Sequence, residues 1–470
     1  MDSKTYDAIV LGGGPGGYVC AIRLGQLGVK TVCIEGEEYG GVCLNWGCIP
    51  SKALISAAHL YEKAATASEM GIIVDAVRVD SNQLQDWKDK IVKRLTGGVR
   101  ALLKANGVDV VEGQGRLVQR EVVEVALTAG GTERFQATKG IVLATGSSTI
   151  ELPGFPFDGE HVIGAREAVS LRRVPRRLVV IGGGIIGLEL GMVYQKLGSE
   201  LTVIELTDSL LPGLDRESVK VVERRLKKLG ATVHTETRAE RSEKKPDGTL
   251  VAHVTTKAGP EAIECDVILV AVGMKPRSRG IGLEERGVVV DERGFVKTDD
   301  MTRTTVPGIY AIGDVSGAPM LAHKAMKEGE VCAEVIAGHA AGKDWVSVPN
   351  IVFTDPEIAS VGLTEEAAKA AGHDVRVGKS PFAALGRAMT LRETEGFVKF
   401  VTDKSTGLVL GVHIVGPAAS DLISEAMLAL EMNATAEDVA LTMHPHPTLG
   451  EALMEASAAS LGQAIHVVNR

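Results

Sequence analysis

A near-repeat constrains this chain more than any other feature. Residues 10–35 read VLGGGPGGYVCAIRLGQLGVKTVCIE and residues 180–205 read VIGGGIIGLELGMVYQKLGSELTVIE, aligned without gaps at an offset of 170. Each copy is an apolar strand, a G-x-G-x-x-G turn, an amphipathic helical stretch stopped at Leu-Gly, and a second apolar strand. Each ends on a Glu 23 residues after the first glycine. Such a unit folds as a parallel βαβ layer in which the glycines have separate tasks. Gly12 and Gly182 permit the tight turn after the strand, Gly14 and Gly184 let the backbone approach a pyrophosphate, and Gly17 and Gly187 allow close helix–strand packing. The helix N-terminus then offers free N–H groups and a positive dipole end to the phosphates. Glu35 and Glu205 are expected to accept hydrogen bonds from a ribose 2′-OH and to repel a 2′-phosphate. No Arg cluster follows Glu205 in LTDSLLPGLD, so the second site is expected to prefer NAD to NADP.

Two such units do not account for 470 residues, a length that suits roughly three domains. The run 117–147 reads as alternating strands followed by a buried strand that closes on Ala144, Thr145 and Gly146; ELPGFPFDGE at 151–160 reads as a linker. The second βαβ region ends in ECDVILVAVGMKPRS, an apolar strand closing on a turn at Gly273. TTVPGIYAIGDVSG then gives another strand ending at Gly313 and Asp314. Beyond residue 346 no dinucleotide turn recurs, and strands alternate with helical segments as in an α+β domain. The expected class is α/β, with two Rossmann-like dinucleotide-binding domains and a C-terminal α+β domain. The expected boundaries are 1–149, 150–276, a central segment 277–346 that returns to complete the first site, and 347–470. The 55 glycines fit so many turns, and the formal net charge of −9 argues against nucleic acid or an anionic membrane as partner. No apolar run approaches the roughly 18 residues of a membrane-spanning helix, and the N-terminus enters a strand without an export signal. Six cysteines in this length are sparse, as expected of a reducing, cytoplasmic setting.

Two of those cysteines stand apart. GGVCLNWGCIPSK at 40–52 holds Cys43 and Cys48, with no other cysteine pair or histidine cluster nearby to complete a metal site. Positions i and i+5 of a regular helix lie about 8–9 Å apart, beyond the roughly 7 Å that a disulfide can bridge. A pair acting as a redox dithiol therefore needs irregular backbone, for which Gly40, Gly41 and Gly47 supply the freedom. Cys20, Cys33, Cys265 and Cys332 fall in expected helices and strands and read as core thiols.

The segments GGGPGGYVCAIRLGQLG, GGVCLNWGCIPSKAL, ATGS, GGGIIGLE, YAIGDV and MHPHPTLGE together resemble the FAD- and NAD(P)-dependent pyridine nucleotide–disulfide oxidoreductases, from about residue 5 to the C-terminus. Within that family the resemblance is to the branch that reoxidises dihydrolipoyl groups of 2-oxo acid dehydrogenase complexes or of the glycine cleavage system. Val42, Trp46, Pro445 and Gly450 depart from its commoner Thr, Val, Ala and Ser. The resemblance implies FAD at the first turn, held by Glu35 and by Asp314 near the ribityl chain, and NAD at the second. It implies Lys52 beside the flavin N5 and paired with Glu189, with Thr145, Gly146, Gly273 and Ala322 among the cofactor contacts. Cys43 would be the exposed interchange sulfur and Cys48 the one facing the flavin. His446, oriented by Glu451, would be the base that a thiolate mechanism needs, while His444 would be structural. His446 lies about 400 residues after Cys48, so it would arrive from the second subunit of a homodimer. The implied partners are lipoyl domains or the glycine cleavage H protein, with no metal. The open alternatives are a glutathione- or mercuric-reductase-like enzyme, or a mainly structural subunit of a multienzyme complex. The missing basic residues after Glu205 count against the first, and the absence of cysteine after Cys332 counts against the second.

Overall fold

The computed structural model describes residues 3–469. The two halves of the repeat build two sheets of one design. In the first, Asp109–Gln119, Thr31–Glu35, Ser3–Leu11, Thr132–Leu143 and Ile309–Ala311 pair in parallel in that order. In the second, Thr232–His234, Glu200–Ile204, Arg177–Ile181, Val267–Val270 and Val162–Ile163 do the same. Each carries an antiparallel three-stranded excursion. The first sheet's own long strands make it with Val122–Leu127, and the separate strands Arg238–Lys244, Leu250–Thr256 and Gly259–Cys265 make it in the second. The interior strands AIVL, TVCIE, RLVVI and VILV are apolar on both faces because helices cover one side of each sheet and the antiparallel excursion covers the other.

Residues 277–308 lead from the second sheet back to the first, where Ile309–Ala311 takes its edge beside Ile141, Val142 and Leu143. A two-stranded link, Ser147–Thr149 against Met274–Pro276, ties the chain's departure from the first sheet to its return. The C-terminal region is an antiparallel sheet, ordered Asn350–Val352, Glu357–Gly362, Val409–Gly416, Phe397–Asp403 and Val375–Pro381. Helices Ala419–Glu431 and Glu451–Ser460 cover it. Leu428 and Met432, on and just after the first of these helices, and Leu441 and Met443 beyond it are all exposed. Cys20, Cys33, Cys265 and Cys332 are buried free thiols. Among the described residues no helix is long and apolar enough to cross a membrane.

A closed set of four charges joins the three regions. Lys196, at the end of helix Ile185–Lys196 and only 2% exposed, lies 2.8 Å from Glu62 and 2.6 Å from Asp355. Arg225, on helix Arg216–Lys228, contacts the same two carboxylates at 2.5 and 2.7 Å. Glu62 belongs to helix Cys48–Ala65, and Asp355 to the turn between strands Asn350–Val352 and Glu357–Gly362 of the C-terminal sheet. Burial alone would raise the Asp355 carboxyl, but the Lys196 and Arg225 charges outweigh it and hold the group at about 2. Its contribution to stability is therefore complete above the ordinary carboxylate value of about 3.9 and lost as pH falls toward 2. Removing one cation strands buried charge, so Lys196→Met is expected to destabilise the fold by about 3 kcal/mol in urea unfolding at pH 7. Its acid-unfolding midpoint should also move to higher pH, because Asp355 then protonates sooner; an unmoved acid midpoint would show that the quartet contributes no pH-dependent stability.

Candidate active site

The two glycine turns sit at the C-terminal ends of strands Ser3–Leu11 and Arg177–Ile181. Gly12 has φ 106° and Gly182 φ 107°. A Cβ on Gly12 would lie 2.1 Å from the Ala144 carbonyl oxygen, and one on Gly182 2.4 Å from that of Ala271. Gly17 and Gly187 sit where the helix presses on its own turn: a Cβ there would be 1.8 Å and 2.2 Å from the carbonyl oxygens of Gly12 and Gly182. The middle glycines differ. A Cβ on Gly184 would meet nothing within 4 Å, and one on Gly14 only the Cα of Gly41 at 3.7 Å. Both face one continuous cavity of about 1550 Å³ that also reaches Cys43, Cys48, Glu205 and Asp314. Open space in front of the two phosphate-approach glycines, in a cavity larger than one drug-sized ligand needs, fits two dinucleotides.

The acidic residues at the ends of the second strands are held alike. The Glu205 carboxylate, on the cavity wall, accepts from the Gly183 N–H at 2.7 Å, the Thr207 N–H at 2.7 Å and the Thr207 hydroxyl at 2.8 Å. Glu35 accepts from the Gly13 N–H at 2.6 Å and the Glu37 N–H at 2.7 Å, and burial pushes its carboxyl up. At the Glu205 end the structure adds a cation that the local sequence does not show. Arg238 lines the same space from a later strand and is paired loosely with Glu240 at 3.7 Å.

The dithiol segment is irregular where its spacing requires it. A short helix Gly41–Asn45 ends at Trp46, and a new helix starts at Cys48. Gly40 and Gly41 are both left-handed, at φ 96° and 57°. A Cβ on Gly41 would come 2.7 Å from the Cα of Gly14, so the segment packs directly on the first glycine turn. Cys48 occupies the first turn of helix Cys48–Ala65, with Lys52 one turn further on. The two thiols face each other, and their contact lowers Cys48 and, with burial, raises Cys43; burial opposes the fall at Cys48, and the Lys52 charge reinforces it. A helix N-terminus adds to the same bias. The bias favours Cys48 as the thiolate of the pair.

Lys52 is itself held. Its Nζ donates to Glu189 at 2.7 Å and stands 4.3 Å from the centre of the Phe353 ring, while the Phe353 N–H donates to the other Glu189 oxygen at 2.9 Å. Opposite, Asp314 lies in the turn Gly313–Val315 and accepts from the Ser147 hydroxyl at 2.5 Å; its burial raises the carboxyl. Gly146, Gly273 and Ala322, the first residue of helix Ala322–Ala337, line the cavity. Thr145 does not, and instead donates to the Arg277 carbonyl at 2.7 Å. Sequence reasoning missed Phe353 and Arg238, neither of which belongs to a local motif, and gave no role to Ser147, the last residue of ATGS.

His446 and Glu451 lie elsewhere. The His446 Nδ1 is 2.8 Å from Glu451, whose other oxygen accepts from the Thr448 N–H at 2.9 Å. The Glu451 carboxyl is held low: burial raises it, but the hydrogen bond with His446 prevails. His446 is 79% exposed, and among the described residues nothing takes its Nε2. The pair does not line the cavity of its own chain. His444 is tied at both nitrogens, to the Thr442 carbonyl and to Glu425, each at 2.8 Å.

Because Lys52 supports the Cys48 thiolate, Lys52→Met is expected to raise the thiol of the reduced protein. The pH profile of iodoacetamide alkylation at Cys48, read by mass spectrometry, should move up by about one unit. An unmoved profile would remove Lys52 from thiolate stabilisation.

Comparison with known proteins agrees with this geometry. Residues 6–329 match the pyridine nucleotide-disulphide oxidoreductase family, and residues 348–457 match that family's dimerisation domain. The chain is 50% identical to a dihydrolipoyl dehydrogenase of Thermus scotoductus over 469 residues, covering 99% of this chain and 100% of that one. It is 48% identical to the dihydrolipoyl dehydrogenase of Bacillus subtilis, covering 98% of each. The solved structure of LpdA from Mycobacterium tuberculosis superposes with a TM-score of 0.89 at 28% identity, over 97% of this chain and 99% of that one. The chain belongs to the pyridine nucleotide-disulphide oxidoreductase family.

Proposed function

We propose that this chain is a dihydrolipoyl dehydrogenase, which reoxidises dihydrolipoyl groups and reduces NAD⁺ through the Cys43–Cys48 dithiol and FAD. The observation that carries the proposal is a single cavity that brings the dithiol, the Lys52–Glu189 pair and both phosphate-approach glycines together. The first turn, with Gly146, Asp314 and Ala322, would hold FAD; the second turn, with Glu205 and Gly273, would hold NAD. Two-electron transfer between a dithiol and a nicotinamide is the chemistry FAD supplies when bound.

The chain's own residues do the rest. The His446 Nε2, left free by the bond from Nδ1 to Glu451, takes the proton of a substrate thiol. The thiolate attacks Cys43, forming a mixed disulfide and breaking the Cys43–Cys48 bond. Cys48 leaves as the thiolate that Lys52 and the helix start favour. The second substrate thiol then attacks the substrate sulfur joined to Cys43 and gives its proton to the departing Cys43 sulfur; the mixed disulfide breaks, Cys43 is left as a thiol, and the substrate leaves as a cyclic disulfide. Lys52, fixed by Glu189 and the Phe353 amide, holds positive charge beside the dithiol throughout.

His446 is absent from its own chain's cavity, so the base comes from the partner subunit's His446 and the homodimer is the catalytic unit. The match to a dimerisation domain and the exposed Leu428, Met432, Leu441 and Met443 support this arrangement. Lipoyl domains of 2-oxo acid dehydrogenase complexes, or the H protein of glycine cleavage, would present the substrate. Four buried free thiols suit the reducing cytoplasm.

The test is NADH formation at 340 nm by the FAD-loaded protein given dihydrolipoamide and NAD⁺. Rapid turnover is expected, abolished by Cys43→Ser and lowered about 100-fold or more by His446→Gln. Absence of turnover, with the flavin still reducible by NADH, would overturn the substrate assignment.

A further inference from the structure

Trp46, between the two redox cysteines, has no part in the chemistry above, yet it makes the most distinctive contact of the dithiol segment. Its half-buried ring lines the cavity and packs on a hydrophobic cluster that spans the domains, with Leu54 and Ile55 from its own domain and Val180, Leu188 and Leu190 from the second. Its face carries the guanidinium of Arg166, 4.0 Å from the ring centre. Arg166 belongs to the short helix Ala165–Ala168, which follows the edge strand Val162–Ile163 of the second sheet; it lines the same cavity and has Glu37 at 3.7 Å. The stack thus reaches from the dithiol segment across to the wall of the NAD-side cavity. The segment's own shape is secured separately, by the Asn45 side-chain amide donating to the carbonyls of Tyr39 and Gly41 at 3.2 and 2.9 Å.

We propose that Trp46 and Arg166 act as a positioning pair that sets how closely the second dinucleotide domain approaches the dithiol, and hence how tightly the nucleotide is held there. The inference rests on the second glycine turn taking NAD, as proposed above. Loss of the pair would loosen one wall of the nucleotide site and leave the shape of the dithiol segment intact. The expected signature is therefore a nucleotide-affinity defect without a dithiol defect.

The test compares Trp46→Val, Arg166→Met, the double variant and the conservative Trp46→Phe and Arg166→Lys, all as FAD-loaded holoenzyme. NADH affinity is read by calorimetry, which needs no turnover. Each single loss is expected to weaken NADH about 3- to 10-fold, as for a partly desolvated cation–π contact. The double variant should be no weaker than the poorer single, because the two residues act as one unit. Trp46→Phe and Arg166→Lys should recover part of the loss. In turnover, KM for NAD⁺ should rise while kcat and KM for dihydrolipoamide stay within about twofold. An unchanged NADH affinity, additive losses in the double variant, or an equal rise in KM for dihydrolipoamide would each overturn the proposal. Should Trp46→Val fail to retain FAD, Arg166→Met and Arg166→Lys are judged by the same criteria. Loss of lipoamide turnover with the NADH pattern intact would count against the proposed function and not against this pairing.

Discussion

Charge buried where three regions meet determines how this chain can be assembled. Glu62, Lys196, Arg225 and Asp355 come from three helices and a loop, and two cations meet two carboxylates with no charge left over. Desolvating such groups costs several kcal/mol each, and only close mutual pairing recovers it. Any misplacement of one region would therefore leave an uncompensated charge. The same elements meet again about three turns away, where Lys52 of helix Cys48–Ala65, Glu189 of helix Ile185–Lys196 and the Phe353 amide form a second junction. The quartet at one end of the helix pair and this junction at the other fix the helix that presents Cys48. The position of the thiolate relative to both nucleotide turns is thus a consequence of interdomain electrostatics as much as of the local dithiol segment.

The repeat shows how one local design serves two sites. The strand–turn–helix unit dictates the same backbone twice: φ near 106° at the first glycine and a helix pressed on its own turn at the third. The acidic residue at the end of the unit repeats as well: Glu35 accepts from the Gly13 and Glu37 amides just as Glu205 accepts from the Gly183 and Thr207 amides, and the second site adds only the Thr207 hydroxyl. A spacing motif specifies the backbone that holds the carboxylate, and the packing around it specifies what else it touches.

That distinction also explains what could be seen in the amino-acid sequence. The two parallel sheets, the glycine roles and the irregular dithiol segment were legible because each depends on residues within a few turns of one another. The family resemblance extended this to Lys52 with Glu189 and His446 with Glu451, which the structure places 2.7 and 2.8 Å apart. The Ser147 hydroxyl on Asp314, the Phe353 amide on Glu189 and Arg238 at the Glu205 end were not legible. They are made by residues far apart in the chain, on ordinary strand and loop, and only the tertiary fold gives them partners. The charge quartet is of the same kind: each member alone reads as a solvated surface residue.

The separation of His446 from Cys43 has a physical logic. To bring the His446–Glu451 pair beside Cys43 within one chain, the C-terminal sheet would have to fold over the cavity that both glycine turns face. Presenting the His446–Glu451 pair on an exposed loop instead leaves the cavity open until a second chain covers it. The pair is preorganised before it docks: Glu451 is anchored by the Thr448 N–H, its carboxyl is kept ionised by the contact with His446, and the imidazole is oriented by Nδ1 with Nε2 outward. On the dimeric reading proposed above, a second chain would bring this preoriented imidazole to the dithiol segment, and neither would have to rearrange to meet the other.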